Sequence, residues 1–293
     1  MQFEVVGLGG CNLDFIQKVP RFIIPDDEVE VKELTLSLGG SASNFTVGIS
    51  RLNVKTGIIA RIGNDYFGKL AINEFKKEGV DTKRLFMGDE KTGMSFIAVD
   101  PEGERAMYTF IGANEKFSLK KEDIDYIRAS KILHITQMYK KVVNKASKHA
   151  NFLSFNPGAI LSSFGHSKLE KIIRRTNILF LNKKEMNILT GANNNEGASI
   201  LLDIGADMVI MTCGDGGANL YTENTVIHSP ARRTEVQDTT GAGDAFAAGF
   251  IAAYIKENEL KKCLDFANIV ASHCVENIGA LNAPYLSDLN FKI

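Results

Sequence analysis

Short apolar runs that end in glycine or polar residues recur along the chain and predict the strands of a buried sheet. The first run covers residues 3–9 and ends in Gly9-Gly10. Helical patterns separate the later runs, and this alternation is typical of parallel strands joined by right-handed crossover helices. The pattern therefore predicts an α/β fold with a doubly wound, mostly parallel sheet flanked by helices. The later runs cover residues 56–62, 132–135, 152–156, 178–181 and 208–212.

Other segments predict a second, smaller sheet. Residues 29–36 alternate apolar and polar side chains, which is the pattern of a strand with one face exposed. Residues 94–99 and 106–111 predict two more strands around a hairpin turn at 100–104. Together with a strand near residues 12–20, they predict a small accessory sheet outside the main one.

The sequence DTTGAGD at positions 238–244 precedes an apolar, alanine-rich run that predicts a helix starting at Asp244. Glycines at 241 and 243 would let backbone amides approach a bound anion at the positive end of this helix. A carboxylate beside an anion is repulsive unless it has a chemical task, and Asp244 could serve as a general base for a hydroxyl. The plainer alternative is a glycine-rich turn that Asp244 caps before a buried helix.

The longer string DTTGAGDAFAAGF resembles the C-terminal signature of the ribokinase-like (PfkB) family of carbohydrate and nucleoside kinases. In that family the glycine segment forms the anion hole for the transferring phosphoryl group, and the aspartate deprotonates the acceptor hydroxyl. By this resemblance the catalytic residues are Gly241, Ala242, Gly243 and Asp244. The resemblance implies an ATP-dependent, Mg²⁺-requiring phosphotransferase whose small sheet is a lid over the substrate.

The resemblance spans nearly the whole chain, so we expect one kinase domain over residues 1–293 with lid strands within about 12–38 and 94–111. Polar and glycine residues of the N-terminal third match the acceptor site of the family, and a helix is predicted at 45–52. Taken singly, the same residues are also typical of polar turns and helix caps. By resemblance the acceptor-binding residues are Asn12, Asp14, Gly39, Gly40, Asn44 and Asn114.

The C-terminal half carries motifs that resemble the nucleotide site of the family. NKKE at 182–185 resembles a motif that organises Mg²⁺ and phosphate oxygens, so Glu185 is expected near Mg²⁺ through water. The same tetrapeptide is typical of a helix start, with an asparagine cap and a glutamate three residues on. Asp238 and Thr240, with carbonyls near Gly279, are implied as a possible site for a monovalent cation such as K⁺. The residues implied for ATP binding are Asn182, Thr212, Gly214, Gly217 and Asn268.

Two other nucleotide-binding motifs are incomplete. GLGGCN at 7–12 has Asn12 where a dinucleotide fingerprint needs its third glycine. GNDYFGKL at 63–70 precedes a helix predicted at 67–78, but it has Leu70 where a phosphate-binding P-loop needs a serine or threonine for Mg²⁺. Neither a nicotinamide dehydrogenase nor a P-loop enzyme is therefore favoured.

Composition excludes several classes of partner. The chain has 293 residues, 44% hydrophobic and 24% charged, with a formal net charge of −1, so it has no basic footprint for nucleic acid. No apolar run approaches the ~20 residues of a membrane span, and no secretory signal is recognisable. The 4 cysteines lack the spacing of a metal site. We expect a cytoplasmic protein with reduced thiols.

The identity of the acceptor is the least determined feature. Tyr139 lies near the position where ribokinase proper has an acidic residue facing the sugar. FNPG at 155–158 resembles archaeal relatives that phosphorylate nucleosides. A sugar kinase is the first hypothesis, a nucleoside kinase of the same fold the second, and a non-catalytic nucleotide-binding protein the third. The family also implies a homodimer formed through the lid sheets.

Overall fold

The computed structural model describes residues 3–291 and residue 293, and these form two sheets and the helices around them. The strands are β1 Phe3–Leu8, β2 Asn12–Lys18, β3 Glu33–Gly39, β4 Thr56–Gly63, β5 Asp81–Gly88, β6 Gly93–Val99, β7 Arg105–Phe110, β8 Ser130–Thr136, β9 Leu153–Asn156, β10 Ile178–Asn182, β11 Met208–Thr212, β12 Ala218–Tyr221 and β13 Val226–Ser229. The helices are α1 Ser41–Arg51, α2 Tyr66–Lys77, α3 Lys121–Arg128, α4 Lys140–Ala146, α5 Gly158–Ser162, α6 His166–Ile173, α7 Lys183–Thr190, α8 Asn194–Ile204, α9 Ala242–Ile255 and α10 Leu260–Cys274.

The large sheet has the order β13-β12-β11-β10-β9-β8-β1-β4-β5 in the described part of the chain. The strands from β11 to β5 are parallel, whereas β12 and β13 pair antiparallel at one edge. The predicted doubly wound, mostly parallel sheet is therefore confirmed. Because the carboxyl ends of parallel strands share one edge, the residues that follow β1, β8, β10 and β11 lie along the same edge.

Two edge strands of the large sheet had no sequence prediction. In β5 only Leu85 is buried, and polar residues interrupt any regular alternation. In β13 only Ser229 is buried. An edge strand that covers little of the core needs no continuous apolar run, so neither segment carries the pattern of a buried strand.

The small sheet has the order β3-β2-β6-β7, with β2 parallel to β6 and the other pairs antiparallel. All four strands match the predicted segments to within a few residues. Asp14 pairs with Ser95 on one face of this sheet. On the opposite face Phe15 pairs with Phe96 and packs edge-on against Phe67 of α2, with ring centroids 5.5 Å apart. We call this sheet the lid.

Helix α9 runs through the middle of one face of the large sheet and is apolar around its whole circumference. Small residues let its neighbours approach closely. A Cβ added at Gly249 would lie 3.0 Å from Ala267 and Val270 of α10. The loop after α10 is held over the N-terminus of α9 by Arg51, whose Nη1 donates to the carbonyls of Leu281 and Ala283 at 2.8 Å.

Two predicted helix starts were wrong. Helix α9 begins at Ala242, not at Asp244, and α1 begins at Ser41, not at residue 45. In both cases a glycine with positive φ directly precedes the helix, Gly241 at 79° and Gly40 at 92°. These glycines reverse the chain direction, so the small residues after them already adopt helical geometry. No helix in the described residues is long and apolar enough to cross a bilayer.

Candidate active site

The first turns of α1 and α9 meet at a buried pair of polar side chains. Nδ2 of Asn44 donates to Oδ2 of Asp244 at 2.9 Å, and the two residues are 7% and 8% exposed. The other polar atom of the Asn44 amide, Oδ1, is buried and has no partner among the described residues. Buried polar atoms are nearly always paired, so this acceptor is available to a donor from a ligand or from an ordered water.

The N-terminus of α9 has the geometry of an anion site. Gly241 adopts a left-handed conformation, and a Cβ there would lie 2.3 Å from the carbonyl oxygen of Ala280. A Cβ at Gly243 would meet nothing within 4 Å, so open space adjoins that residue. Within the described residues the amides of Gly243 and Asp244 have no hydrogen-bond acceptor. Free amides at the positive end of a helix can stabilise a phosphoryl group.

The pKa of Asp244 is shifted toward neutrality. Burial raises it to about 7, hydrogen bonds from Asn44 and Ser41 act to lower it, and the negative charge of Glu185 acts to raise it. A carboxylate that titrates near neutral pH is a stronger proton acceptor than an ordinary aspartate and still ionised above pH 7. These are the properties required of a general base.

A second buried carboxylate, Asp14, lies on the face of the lid that carries the predicted acceptor residues. Burial raises its pKa to about 6, whereas a hydrogen bond from Ser95 lowers it. A Cβ at Gly39 would lie 2.1 Å from the carboxylate oxygens of Asp14, so only glycine leaves room for them. Likewise, a Cβ at Gly40 would lie 2.6 Å from the carbonyl oxygen of Gly10. The two glycines therefore allow the chain around residues 39–40 to pack closely against Asp14 and Gly10.

Asn114 holds Asn12 in place from behind. Its Nδ2 donates to the carbonyl of Cys11 and to Oδ1 of Asn12, both at 2.9 Å, and its Oδ1 accepts from the amide of Cys11 at 3.1 Å. A further acceptor is the carbonyl of Ile111 at 3.1 Å. Because these groups occupy its amide hydrogens, the geometry supports a positioning role for Asn114 rather than direct contact with a ligand.

Asn182 and Glu185, two of the residues predicted at the nucleotide site, form a capping box at the start of α7. Oδ1 of Asn182 accepts from the amide of Glu185 at 2.8 Å, and Oε2 of Glu185 accepts from the amide of Asn182 at 3.0 Å. The helix-cap alternative for this motif is thus confirmed. It does not exclude the other role, because Glu185 is also near enough to Asp244 for its charge to raise the pKa of that carboxyl.

Oxygen chemistry at this point fits Mg²⁺. Glu185 is buried, and it has no cationic partner within the described part of the chain. Those residues also contain no cluster of three or more His, Cys, Asp or Glu suited to a metal ion. A Mg²⁺ held by few protein ligands takes its remaining ligands from phosphates and water.

The other predicted ATP residues lie on the adjoining strands and on α10. Thr212 pairs with Asn182 across β10 and β11. A Cβ at Gly217 would lie 2.0 Å from the carbonyl of Ser229, whereas a Cβ at Gly214 would meet nothing within 4 Å. Nδ2 of Asn268 donates to Oγ of Ser229 at 2.8 Å, so this amide group anchors the end of β13. A contact between Asn268 and an adenine base stays a prediction.

Asp238 and Thr240, the implied site of a monovalent cation, already face a cation of the chain itself. Oδ1 of Asp238 accepts from the amide and the hydroxyl of Thr240 at 2.9 and 2.6 Å, and its Oδ2 accepts from the amide of Gly279 at 3.0 Å. Nη1 of Arg105, on β7 of the lid, lies 3.4 Å from Oδ1 of Asp238 and donates to the hydroxyl of Thr240. These groups do not fit a free monovalent ion.

Sequence reasoning missed three residues that contact the candidate site residues, Arg105, Ser95 and Ser41. Arg105 lies 133 residues before Asp238, and no local pattern connects the two. Ser95 was detectable in principle, because it is a polar residue among the apolar residues of β6 and takes a buried position on that strand. Only the pairing of β2 with β6 brings it next to Asp14.

Comparison with known proteins gives consistent matches over nearly the whole chain. The family model described as pfkB family carbohydrate kinase matches residues 2–286. An uncharacterized sugar kinase of Archaeoglobus fulgidus is 30% identical over 80% of this chain and 96% of its own length. A nucleoside kinase of Methanothermobacter thermautotrophicus is 28% identical, covering 94% of this chain and 90% of its own.

Solved structures agree with these matches. Ribokinase from Thermotoga maritima superposes with a TM-score of 0.87 at 26% identity and covers 96% of each chain. The nucleoside kinase of Methanocaldococcus jannaschii superposes with a TM-score of 0.84 at 27% identity, covering 97% of this chain and 95% of that one. The chain therefore belongs to the pfkB family of carbohydrate kinases, which are phosphotransferases with an alcohol group as acceptor.

Proposed function

We propose that the protein transfers the γ-phosphoryl group of ATP to a hydroxyl of a small sugar or sugar derivative, with Asp244 as the general base. The observation that carries the proposal is the buried carboxylate of Asp244 beside the free amides of Gly243 and Asp244 at a helix N-terminus. ATP as donor is supported by a relative named ATP-dependent ribose-1-phosphate kinase from Halopiger xanaduensis, 29% identical over 96% of this chain.

The residues on the two sides of Asp244 have separate tasks in this reaction. Asp14 accepts hydrogen bonds from acceptor hydroxyls, and the unpaired Oδ1 of Asn44 accepts another, so the reacting hydroxyl is aimed at Asp244. Asp244 takes the hydroxyl proton as the oxygen attacks phosphorus. The amides of Gly243 and Asp244 then donate to the oxygens of the transferring group as negative charge develops on it.

Glu185, with Asn182 beside it, would hold Mg²⁺ through water, since it offers a buried carboxylate without a cationic partner in the described residues. When bound with the triphosphate, Mg²⁺ neutralises charge on the phosphate oxygens. The negative charge of Glu185 also acts to raise the pKa of Asp244, which makes the ionised carboxylate a stronger proton acceptor. Thr212, Gly214, Gly217 and Asn268 are proposed to bind the rest of the nucleotide.

A nucleoside acceptor is the second candidate, and the inner face of the lid favours it. Ile16, Ile97 and Met107 pair in one row across β2, β6 and β7, on the same face as Asp14. Met107 is 54% exposed, and Ile278 is also exposed and lines a small cavity with Ile16. This apolar row could cover a flat base, whereas a simple sugar would leave it uncovered. Replacing Met107 by serine should then raise KM for the nucleoside but not for its free sugar.

The outer face of the lid supports the proposed homodimer. Phe15, Leu36, Phe96 and Tyr108 share this face, and Tyr108 is 79% exposed. Contiguous apolar surface of this kind is typical of an interface. We expect Tyr108→Glu to shift the mass measured by light scattering toward the monomer.

The free state of all four cysteines supports a reducing, cytoplasmic location.

Measurement of ADP formation tests the proposed reaction. The purified protein is supplied with ATP and Mg²⁺ and then with hexoses, pentoses, keto sugar acids or nucleosides, one class at a time. We expect one class to stimulate ADP formation strongly and the others weakly. If ADP formation is the same with every acceptor and without one, acceptor phosphorylation by this site is wrong.

A further inference from the structure

The lid and the loop before α9 are joined by one side chain. Arg105 is the first residue of β7, and its Nη1 reaches both the carboxylate of Asp238 and the hydroxyl of Thr240. The other ion pairs of lid residues in the described chain, Lys18 with Glu33 and Arg21 with Asp27, stay within the N-terminal segment that carries the lid. Arg105 therefore makes the electrostatic link from the lid to this loop.

The partner of Arg105 is a carboxylate that already accepts several hydrogen bonds and has no other cationic partner among the described residues. The side chain of Asp238 is 15% exposed, and Arg105 is its cationic partner within the described residues. Burial acts to raise the pKa of Asp238, but hydrogen bonds from Thr240 and Gly279 and the charge of Arg105 hold it below the ordinary value. Asp238 is therefore ionised at neutral pH, and its negative charge attracts the guanidinium of Arg105.

Asp238 and Thr240 fix the chain immediately before the anion site. The hydrogen bonds of Asp238 close a tight turn onto Thr240, whose next residue is Gly241, the left-handed residue that starts α9. The same carboxylate holds the amide of Gly279, in the loop whose Ala280 packs against Gly241. A shift of Asp238 would therefore move the amides of Gly243 and Asp244 relative to the phosphoryl group.

We propose that Arg105, a cation on the lid, is a positioning residue. Its guanidinium holds loop 238–241 and takes the place of the free monovalent ion that this loop would otherwise need. The inference rests on the proposed function. Two consequences follow from it. The native protein needs no added K⁺ for activity, and the anion site is fully ordered only when the lid lies against the loop.

The contribution of this ion pair to overall stability is expected to be small. The Arg105 side chain is 37% exposed, and exposed pairs of this kind contribute little to the free energy of unfolding. Removing it should therefore leave the melting temperature almost unchanged. Its effect should appear in turnover, because displacements of about 1 Å in a phosphoryl-transfer site lower the rate by up to roughly 100-fold.

The test compares the native protein with Arg105→Ala and Arg105→Lys in buffers that contain either tetramethylammonium or K⁺. Arg21→Gln is the matched control, because it removes a guanidinium whose contacts in the described chain, with Asp27 and the carbonyl of Phe22, lie within its own segment. We expect Arg105→Ala to lower kcat by roughly 10- to 100-fold with little change in the KM for ATP. Arg105→Lys should retain most of the rate, and K⁺ or guanidinium at low concentration should restore part of it in Arg105→Ala only.

Hydrogen exchange provides a readout that does not depend on activity. Exchange at the amides of residues 239–244 should be faster in Arg105→Ala than in the native protein, and K⁺ should slow it again in the variant alone. If K⁺ stimulates the native protein as strongly as the variant, or slows exchange of its loop, the free-ion site is open and the proposal is wrong. If Arg105→Ala matches the control in kcat and in exchange, the proposal is also wrong.

The two readouts separate this inference from the proposed function. A protein that phosphorylates no acceptor, yet shows the expected exchange behaviour, contradicts the kinase proposal and leaves the link between Arg105 and the loop supported. A protein that phosphorylates an acceptor and shows neither the loss of kcat nor the change in exchange contradicts the link alone.

Discussion

Replacing Asp244 by asparagine should impair catalysis and stabilise the fold at the same time. The substitution keeps the size of the side chain and leaves an oxygen that can accept from Nδ2 of Asn44. It removes the proton acceptor, and a positioned general base contributes roughly 10²- to 10⁴-fold to a rate. We expect kcat to fall within that range, while the affinity for ATP changes little.

The gain in stability follows from the pKa shift. Burial raises the pKa of Asp244 from 3.8 to about 7, so between these values the folded protein binds a proton that the unfolded chain has lost. The free energy of unfolding therefore falls as the pH rises from about 4 to about 7, and it stays low above that range. At about 1.4 kcal/mol per pKa unit, the ionised carboxylate lowers it by up to about 4 kcal/mol. Asparagine cannot ionise, so the free energy of unfolding of the variant does not fall in this way.

Urea unfolding of the native protein and Asp244→Asn at several pH values tests this reasoning. The variant should be more stable by roughly 1 to 4 kcal/mol near pH 8, and the difference should shrink toward zero near pH 4. Asp203→Asn, at an exposed position on α8, controls for the loss of a carboxylate in general. A variant that is no more stable than the native protein at pH 8, or a difference that does not depend on pH, would refute the reasoning.

Three further predictions concern neighbouring residues. Asn44→Leu removes a hydrogen bond that lowers the pKa of Asp244, so the acidic limb of the pH profile of kcat should move to higher pH. Steady-state rates across pH 5 to 9 would detect the shift, and an unmoved limb would count against the pairing of Asn44 with Asp244. Protonation of Asp14 as the pH falls through about 6 should raise KM for the acceptor, and Asp14→Asn should show a high KM without this pH dependence. Asp123→Ala leaves Arg61 buried without its 2.5 Å partner and should lower the free energy of unfolding by about 3 to 5 kcal/mol in urea, with a loss below 1 kcal/mol contradicting that prediction.

The stabilising effect predicted for Asp244→Asn is one side of a conflict between folding and function at this site. A neutral side chain would suit the buried position between α1 and α9, whereas the proposed reaction needs a carboxylate there. The same holds for Asp14, which is buried on strand β2 of the lid and has a raised pKa. Buried carboxylates with raised pKa values are typical of functional sites, because a purely structural role at such positions would favour neutral side chains.

The main sheet was predictable because its strands are buried on both faces. Continuous apolar runs such as β10 and β11 leave few alternatives, and their carboxyl ends carry the polar motifs. The edge strand β5 was not predictable, since it buries little and its side chains follow no period. The helix starts at Ser41 and Ala242 were missed because a glycine in the left-handed conformation, which the sequence cannot reveal, sets them.

The candidate site likewise contains residues that the sequence predicts and contacts that it does not. Asp244 and its glycines lie together in the sequence, so the motif alone predicts a role for them. The partnership of Asn44 with Asp244 spans 200 residues and exists only because α1 packs on α9. Asn114 was assigned to the acceptor on resemblance, but its hydrogen bonds to Cys11 and Asn12 depend on how the lid strand meets the large sheet. Long-range pairing, which no local pattern encodes, sets these contacts.

Detection of the product tests the central claim most directly. The native protein and Asp244→Asn are incubated with ATP labelled in the γ-phosphoryl oxygens and with the acceptor that stimulates ADP formation, and the acceptor is then analysed by mass spectrometry. We predict that the native protein yields an acceptor carrying one intact labelled phosphoryl group and that the variant yields almost none. Labelled inorganic phosphate without a phosphorylated acceptor, or equal product from the two proteins, would contradict the account.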